Sequence, residues 1–177
     1  MPETGFLDRT ITIANARYRY QVYVPATYTP LRSWPVILFL HGAGESGVDG
    51  LRPTDVGIGS AIRRRAERFP TIVVFPQARP ECDGWRGDTA AAAMRALDRT
   101  IAEFQGDPSR LYLTGLSMGG SGTLRIAAYY PGRFAALAPI CPDFDGEFVD
   151  TLARAIGIPS TPVSGTTPGI PRTPIPP

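Results

Sequence analysis

Four short apolar runs constrain the fold of this chain more than any other feature of its sequence. They are Val36–Leu40, Thr71–Phe75, Leu111–Thr114 and Phe134–Ile140. A run that is apolar at nearly every position suits a strand buried on both faces, as in parallel sheets. Helical patterns separate the runs, at Ser60–Phe69, Thr89–Phe104 and Met118–Tyr130. Strands that alternate with helices predict a three-layer α/β fold, in which helices cover both faces of a mostly parallel sheet.

A β-hairpin is predicted before the first of these runs. Thr10–Ile13 and Tyr18–Val24 alternate in the period of two that is typical of strands. Ala14–Arg17 lies between them, and Asn15 is a residue that suits a turn. We therefore expect two antiparallel strands near the start of the chain.

The C-terminal end of the sequence departs from the strand–helix pattern. Glu147–Ile156 is predicted to be a last short helix. Residues 158–177 contain seven of the chain's 19 prolines. Each proline removes a backbone donor, so this segment cannot be a central strand. We expect one α/β domain over residues 1–157 and an extended, disordered tail over residues 158–177.

The composition indicates a globular protein and gives no sign of a nucleic-acid or membrane partner. The hydrophobic fraction of 43% and the charged fraction of 19% suit a folded core. The net charge is only +2, and no apolar stretch is long enough to span a membrane. The densest basic run is Arg63–Arg65 with Arg68. Because three consecutive residues cannot share one helix face, the run is interpreted as a solvated surface, with a phosphate-binding patch as the alternative.

The two cysteines and the first ten residues bear on the cellular compartment. Cys82 and Cys141 are too few for a disulfide scaffold, and their spacing matches no metal motif. We expect free thiols, and a disulfide between the two is the alternative. Met1–Thr10 contains charged residues and no apolar block, unlike a secretory signal. A cytoplasmic chain is therefore expected, unless a leader was removed before this numbering.

The segment Gly115–Gly119 fits the pattern G-x-S-x-G, with the serine at Ser117. It lies between a predicted strand and a predicted helix, which is the context that a nucleophile elbow requires. Gly115 and Gly119 supply the small residues that a sharp turn needs, and the turn would lift the Ser117 hydroxyl above the sheet. The amide of Met118 would then point at the carbonyl oxygen of a bound ester. The alternative is a glycine-rich turn with an incidental serine.

A second glycine-rich loop, His41–Gly44, follows the first buried run. An acyl-transfer site needs two donors aimed at the developing oxyanion, of which one comes from the residue after the nucleophile. Gly42 and Gly44 would let the backbone turn its amides into the site. Ala43 is the predicted second donor, and Gly44 is the alternative donor. The loop could also be an ordinary connection between a strand and a helix.

The segment Arg79–Asp88 follows the end of another predicted strand. Trp85 is expected either to line the acyl or alcohol pocket or to pack on the surface. Arg86 is interpreted as part of a loop ion pair. Asp88 is interpreted as the N-cap of the helix at Thr89–Phe104.

Four sequence motifs together resemble those of the α/β-hydrolase superfamily. The motifs are HGAGESG at 41–47, VVFPQA at 73–78, DPSRLYLTGLSMGGSGT at 107–123 and YPGRFAALAPICP at 130–142. They occur in order over most of the chain, from Tyr20 to Pro142. They are most similar to the phospholipase/carboxylesterase and "predicted peptidase" group of esterases, which is related to polyhydroxybutyrate depolymerases and feruloyl esterases. The resemblance implies a serine nucleophile that acts on small-molecule carboxylic esters through an acyl-enzyme, with no metal and no organic cofactor.

The sequence departs from the family pattern at the groups that should activate the serine. A serine hydroxyl is a poor nucleophile unless a base takes its proton. In the superfamily the chain order is Ser, then Asp or Glu, then His, but no histidine follows Ser117. The only histidine, His41, is interpreted as support for the glycine-rich loop, and a role as the base is the alternative. The acids after Ser117 lie too early to match the triad acid; they are Asp143, Asp145, Glu147 and Asp150.

These departures predict an incomplete hydrolase domain. The family's last strands and its triad acid and base are not found, so weak or no activity is expected. The sheet would then expose an edge at Phe134–Ile140, which predicts marginal stability or self-association. A non-catalytic ligand-binding module on a hydrolase scaffold is the alternative function, and a serine peptidase is a lesser alternative.

Overall fold

One six-stranded sheet organises residues 2–143, the part of the chain that the structure, a computed structural model, describes. Its strands are β1 (Gly5–Ile13), β2 (Ala16–Val24), β3 (Trp34–Leu40), β4 (Ile72–Pro76), β5 (Gly106–Leu116) and β6 (Ala136–Ile140). The α-helices in these residues are α1 (Gly57–Arg64), α2 (Gly87–Glu103) and α3 (Met118–Tyr129). The predicted helix Glu147–Ile156 and the predicted tail 158–177 lie outside the described residues. They stay predictions, as does the domain boundary after residue 157.

The strands are arranged in the order β1-β2-β4-β3-β5-β6. β3 is parallel to both β4 and β5, and β5 is parallel to β6. β2 is antiparallel to both β1 and β4. The predicted α/β class, a mostly parallel sheet that begins with a hairpin, is confirmed. Because β3, β4, β5 and β6 all end at the same edge, the loops that follow them meet there.

Alternate side chains of the central strands enter two separate cores. Val36 and Leu38 of β3 are fully buried in the larger core, which also contains side chains of α2 and α3. Phe39 lies in the smaller core on the other face, together with Ile62 of α1 and Phe75 of β4. Burying one large apolar side chain contributes about 1.5–3 kcal/mol. The continuous apolar pattern of the strands therefore holds helices on both faces, as the three-layer prediction requires.

The N-terminal hairpin is longer than predicted and turns more tightly. β1 starts at Gly5, not at Thr10, and pairs with β2 along its whole length, with Gly5 opposite Val24. The turn contains only Ala14 and Asn15, whose φ angles are 45° and 65°. Two residues with positive φ match the right-handed twist of paired strands, and asparagine tolerates this region. Pairing with β2 extends β1 beyond the residues that show clear alternation.

Helix α1 lies nearer to the N-terminus than predicted. It covers Gly57–Arg64 rather than Ser60–Phe69, and a separate 3₁₀ turn covers residues 66–68. A Cβ at Gly59 would lie 2.4 Å from the carbonyl oxygen of Thr54. Glycine is therefore needed for the close approach inside the first turn of α1, although glycine in a sequence normally argues against a helix.

The predicted N-cap at Asp88 is wrong. Helix α2 begins at Gly87, and the N-cap position is held by Arg86, whose backbone is extended. Asp88 already lies within the first turn, where a carboxylate still interacts favourably with the positive end of the helix dipole. Arg86 forms its loop ion pair with Asp83, at 2.9 Å between Nη1 and Oδ2.

Strand β6 forms one edge of the sheet within the described residues, where β5 is its only partner. Leu137 is 41% exposed and Ile140 is 50% exposed. Tyr129, at the end of the adjacent helix α3, is also exposed. The predicted apolar edge near Phe134–Ile140 is therefore present in this part of the chain.

The arginine run at the end of α1 is exposed, as predicted. Arg63 donates from Nη2 to Thr54 Oγ1 at 2.7 Å, and its guanidinium carbon lies 4.4 Å from the centre of the Phe6 ring. Arg65 follows the last residue of α1, and Arg68 ends the 3₁₀ turn. The basic run is therefore divided between the last turn of α1, the residue after it and the 3₁₀ turn.

Both cysteines carry free thiols in this structure. Cys82 is half-buried and Cys141 is exposed. The predicted unpaired state is present, rather than the alternative disulfide. No helix within residues 2–143 is both long enough and apolar enough to cross a membrane.

Candidate active site

The loops after β3 and β5 emerge side by side at the carboxyl edge of the sheet. β3 and β5 are parallel neighbours, with Leu40 opposite Gly115. The residues that follow Leu40 therefore lie beside those that follow Gly115. A Cβ at Gly42 would lie 3.1 Å from the Leu116 side chain, so the glycine-rich loop contacts the serine turn, which comprises Gly115–Gly119. The fold brings together two motifs that lie far apart in the sequence.

Ser117 occupies a strained turn between β5 and α3. Its φ is 52° and its ψ is −119°, a region that residues with a side chain rarely adopt. The turn closes because its neighbours have no side chains. A Cβ at Gly115 would lie 2.3 Å from the Gly119 carbonyl oxygen, and a Cβ at Gly119 would lie 2.0 Å from the Leu40 carbonyl oxygen. Ser117 itself is exposed, so a ligand at this edge can reach it.

Hydrogen bonds hold the backbone of Ser117 from both sides. Its N–H donates to the Ile140 carbonyl oxygen on β6 at 2.9 Å, and its own carbonyl oxygen accepts from the Ser121 N–H at 3.1 Å. Helix α3 starts at the next residue, Met118. The first amides of a helix have no acceptor within the helix, and the helix dipole favours negative charge there. The turn therefore offers amide donors beside the Ser117 hydroxyl.

The glycine-rich loop after β3 forms a 3₁₀ turn over Ala43–Glu45. Gly42 before it is extended, and the Ser46 N–H closes the turn on the Ala43 carbonyl oxygen at 3.2 Å. Within residues 2–143 the amides of Ala43 and Gly44 donate no hydrogen bond. Both residues are exposed. Either amide is therefore available to a ligand at this edge.

Gln77 anchors residues 45–50, the segment that directly continues the glycine-rich loop. No role for this residue was predicted from the sequence. The residue is 2% exposed. Its Nε2 donates to the Glu45 carbonyl oxygen at 3.0 Å, and its Oε1 accepts from the Gly50 N–H at 2.6 Å. The next residue, Ala78, accepts from the Gly47 N–H at 2.8 Å. The sequence does contain one signal for this role, namely a polar residue directly after a buried strand.

His41 is buried, and both of its ring nitrogens are engaged. Nε2 accepts from the Ala78 N–H at 3.0 Å, so the proton lies on Nδ1, which donates to the Gly42 carbonyl oxygen at 2.6 Å. Burial lowers the pKa of His41 below its ordinary value of 6.5, because a charged ring would be poorly solvated. The neutral ring therefore has no free nitrogen for Ser117, and its predicted structural role is confirmed.

Trp85 lies in the core and not on the surface. The residue is 2% exposed, and its Nε1–H donates to the His41 carbonyl oxygen at 3.1 Å. A Cβ at Gly122 would lie 2.6 Å from the Trp85 side chain, so α3 packs directly on the indole. The surface-packing alternative is wrong, because the indole joins the loop after β3 to α3. A role in lining a substrate pocket stays a prediction.

The described residues place the exposed hydroxyl of Ser117 beside backbone amide donors, but both ring nitrogens of His41 are engaged elsewhere. Asp143 is the last acid described, and its backbone N–H donates to Ser121 Oγ at 2.8 Å. The later acids lie outside the described residues; they are Asp145, Glu147 and Asp150. Between residues 2 and 143, no group of three or more His, Cys, Asp or Glu side chains could hold a metal ion. The geometry suits attack on an electrophilic carbonyl whose oxygen becomes negative.

Comparison with known proteins places similar sequences among ester hydrolases. A family model described as "Putative esterase" matches residues 11–146. Poly(3-hydroxyalkanoate) depolymerase C of Paucimonas lemoignei is 38% identical over 119 residues, which are 60% of this chain and 27% of that protein. Acetylxylan esterase A of Emericella nidulans is 30% identical over 89 residues, which are 44% of this chain and 29% of that protein.

A solved structure of a thermostable esterase has the same fold over most of the described residues. Its TM-score is 0.71 at 30% sequence identity, and the match covers 83% of this chain and 43% of that chain. The chain therefore spans less than half the length of this structure, and less than a third of the length of the two curated relatives.

The serine turn should not tolerate a side chain at Gly119. Gly119→Ala places a Cβ 2.0 Å from the Leu40 carbonyl oxygen, and we expect a loss of about 3 kcal/mol in the free energy of unfolding. Gly44→Ala is the matched control for stability, because no atom lies within 4 Å of its added Cβ. It should change the free energy by less than about 0.5 kcal/mol. Urea unfolding measures both variants, and equal midpoints would contradict the packing argument.

The lowered pKa of His41 should make stability depend on pH. The unfolded chain, whose histidine pKa is near 6.5, binds the proton more readily than the folded protein. Stability that is fully present above this value is therefore lost as the pH falls below it, by up to about 1.4 kcal/mol per pH unit. Urea unfolding between about pH 7.5 and 5.5 measures the slope.

His41→Gln is the control for this slope, because His41 is the only histidine in the chain. The variant should be less stable throughout, since the buried ring and its hydrogen bonds are lost. Its free energy of unfolding should nevertheless vary little over the same pH range. The same slope in both proteins would assign the pH dependence to another group.

Proposed function

This chain belongs to the esterase family that its sequence matches over residues 11–146, and we propose that it acts on carboxylic esters as a serine hydrolase. The observation that carries the proposal is the backbone of Ser117. A residue with a side chain is held at φ 52° between a buried strand and a helix, and it is exposed at the edge where four strands end. Such strain persists where the position of the side chain matters.

In the proposed reaction, Ser117 Oγ attacks the carbonyl carbon of the ester. A bond forms between Oγ and carbon, the serine proton passes to a base, and the bond from carbon to the alcohol oxygen breaks. The alcohol leaves with a proton, and the acyl group stays on the serine. Water then attacks the acyl-enzyme in the same way, which releases the carboxylic acid and restores the hydroxyl.

The oxyanion formed in each step would be bound by backbone amides. We assign the amide of Met118 as one donor, because it is the first amide of α3 and follows the nucleophile directly. We assign the amide of Ala43 as the second donor, with that of Gly44 as the alternative, since neither donates elsewhere within residues 2–143. One such donor contributes roughly 10²–10³ in rate in other serine hydrolases. Gly42, Gly115 and Gly119 let the two loops approach each other, because an added Cβ at each would crowd the neighbouring loop or strand end.

The base for Ser117 is not supplied by His41, whose ring nitrogens are both engaged. Without a base to take its proton, a serine hydroxyl is a poor nucleophile, so the acyl-enzyme would form slowly. We therefore propose that residues 2–143 alone support only weak turnover. The engagement of both His41 nitrogens also favours a second candidate function, a non-catalytic module that binds a carbonyl ligand at the serine turn.

The proposed substrates are small esters, and the proposed compartment is the cytoplasm. The substrate class is supported by relatives that are named as esterases or depolymerases. The compartment is supported by the unpaired thiols of Cys82 and Cys141, since reducing compartments keep thiols free.

Hydrolysis of p-nitrophenyl acetate by the purified chain tests the role of the serine. Ser117→Ala should lower the rate by at least about tenfold, because no acyl-enzyme can form. Ser60→Ala is the matched control, since the Ser60 hydroxyl bonds only to residues of its own helix α1 within the described part of the chain. A fluorophosphonate probe should label Ser117 and no other serine in mass spectrometry. Equal rates for the parent and Ser117→Ala, with no label, would leave only the binding module.

We also propose that the exposed edge of β6 pairs with a second copy of the chain. The support is that β6 pairs only with β5 within residues 2–143 and carries exposed apolar side chains, Leu137 and Ile140. Sedimentation velocity should show a dimer that dissociates on dilution. Leu137→Lys should weaken the dimer by placing two like charges at the pairing edge, whereas Val48→Lys, at another exposed apolar position, should not. A parent chain that stays monomeric at every concentration would contradict the proposal.

A further inference from the structure

A cleft of about 540 Å³ opens at the amino ends of β3 and β5, across the sheet from Ser117. It is lined by Arg32, Ser33, Trp34, Pro35, Pro70 and Arg110. None of these residues belongs to the loops that carry the serine or the amide donors. The cleft is therefore separate from the site described above.

Arg32 lies over an aromatic platform, the ring of Trp34, in this cleft. Its guanidinium carbon lies 3.9 Å from the centre of the Trp34 ring. The platform is rigid, because Trp34 is 1% exposed and its Nε1–H donates to the Thr29 carbonyl oxygen at 2.8 Å. A stacked guanidinium keeps its N–H donors at the rim of the plane, where they can bind an anion in a forked geometry.

The positive charge of Arg32 is not neutralised by a neighbouring acid. Throughout residues 2–143, no carboxylate forms an ion pair with it. Arg110 differs, because its Nε donates to Asp107 Oδ2 at 2.7 Å and its Nη2 donates to the Ser33 carbonyl oxygen at 2.9 Å. Hydrogen bonds from Ser109 and Arg110 lower the pKa of Asp107 to about 2, so that its charge balances Arg110. One uncompensated positive charge remains in the cleft.

The rest of the lining is mainly apolar. Pro35 and Pro70 form walls beside Trp34, and neither proline has a backbone N–H to offer. A multiply charged ligand such as a nucleic-acid backbone would leave charge unpaired here. A ligand with one negative group and an apolar body would satisfy both Arg32 and the proline walls.

We propose that this cleft binds an organic carboxylate, with its two oxygens on the Arg32 guanidinium and its apolar body against Pro35 and Pro70. Carboxylates of this kind are what ester hydrolysis releases, so the cleft is a site for the product acid. The identification of the ligand as a product rests on the proposed function, whereas the binding itself does not.

Isothermal titration with benzoate tests the proposal, with benzamide as the neutral ligand of the same shape. Benzoate should bind saturably and benzamide should not. Arg32→Ala should weaken benzoate binding by about tenfold, the loss expected for a charge-assisted pair. Arg32→Lys keeps the charge but not the planar fork, and its affinity should be intermediate.

Two further variants distinguish the cleft from other sites. Arg95→Ala removes an exposed arginine from a different cleft on α2, and its affinity for benzoate should equal that of the parent. Ser117→Ala should also bind benzoate normally, whether or not the chain proves to be an esterase. Loss of binding in Ser117→Ala would place the carboxylate at the serine turn and overturn the proposal. Equal binding by the parent and Arg32→Ala, each with an unchanged melting temperature, would overturn it as well.

Discussion

The close approach of the α3 backbone to the end of β3 is the constraint on which the site depends. At Gly119 any side chain would overlap the Leu40 carbonyl oxygen, only 2.0 Å from an added Cβ. Because α3 must start directly after Ser117, the serine is forced to a φ of 52°. Such local strain persists only where its surroundings hold it. The hydrogen bond from the Ser117 N–H to Ile140 makes β6 part of the site as well as part of the sheet.

Buried hydrogen bonds join the loops around this approach into one rigid unit. His41 connects the end of β3 to Ala78 after β4, and Trp85 connects the His41 carbonyl oxygen to the face of α3. Gln77 holds the far end of the glycine-rich loop. Unpaired polar groups are costly in a buried setting, so each member of this network keeps the others in place. The only histidine of the chain therefore supports the amide donors and does not take the serine proton.

Local sequence patterns correctly predicted the strands and helices in which a regular spacing of apolar side chains decides the structure. Three of the apolar runs became β3, β4 and β5, because burial on both faces requires apolar side chains at nearly every position. The fourth became β6, which lies exposed at the edge of the described sheet. The sequence patterns failed at the ends of elements, where a single contact with another part of the chain decides which residue begins a helix or a strand. Gly59 lies inside α1 because Thr54 approaches it, and Asp88 lies past the N-cap because α2 starts at Gly87, two residues before the predicted start at Thr89. β1 extends to Gly5 because β2 offers a partner strand, which no local pattern records.

The sequence by itself determined the α/β class, the serine turn and the glycine-rich loop, since periodicity and backbone freedom are properties of neighbouring residues. Only the tertiary structure decided that Trp85 is a core residue, that Gln77 anchors the loop and that both nitrogens of His41 are occupied. These roles depend on partners that are distant in sequence. A hydrogen bond or a buried ring contact is defined by the group on its other side, and the fold alone chooses that group.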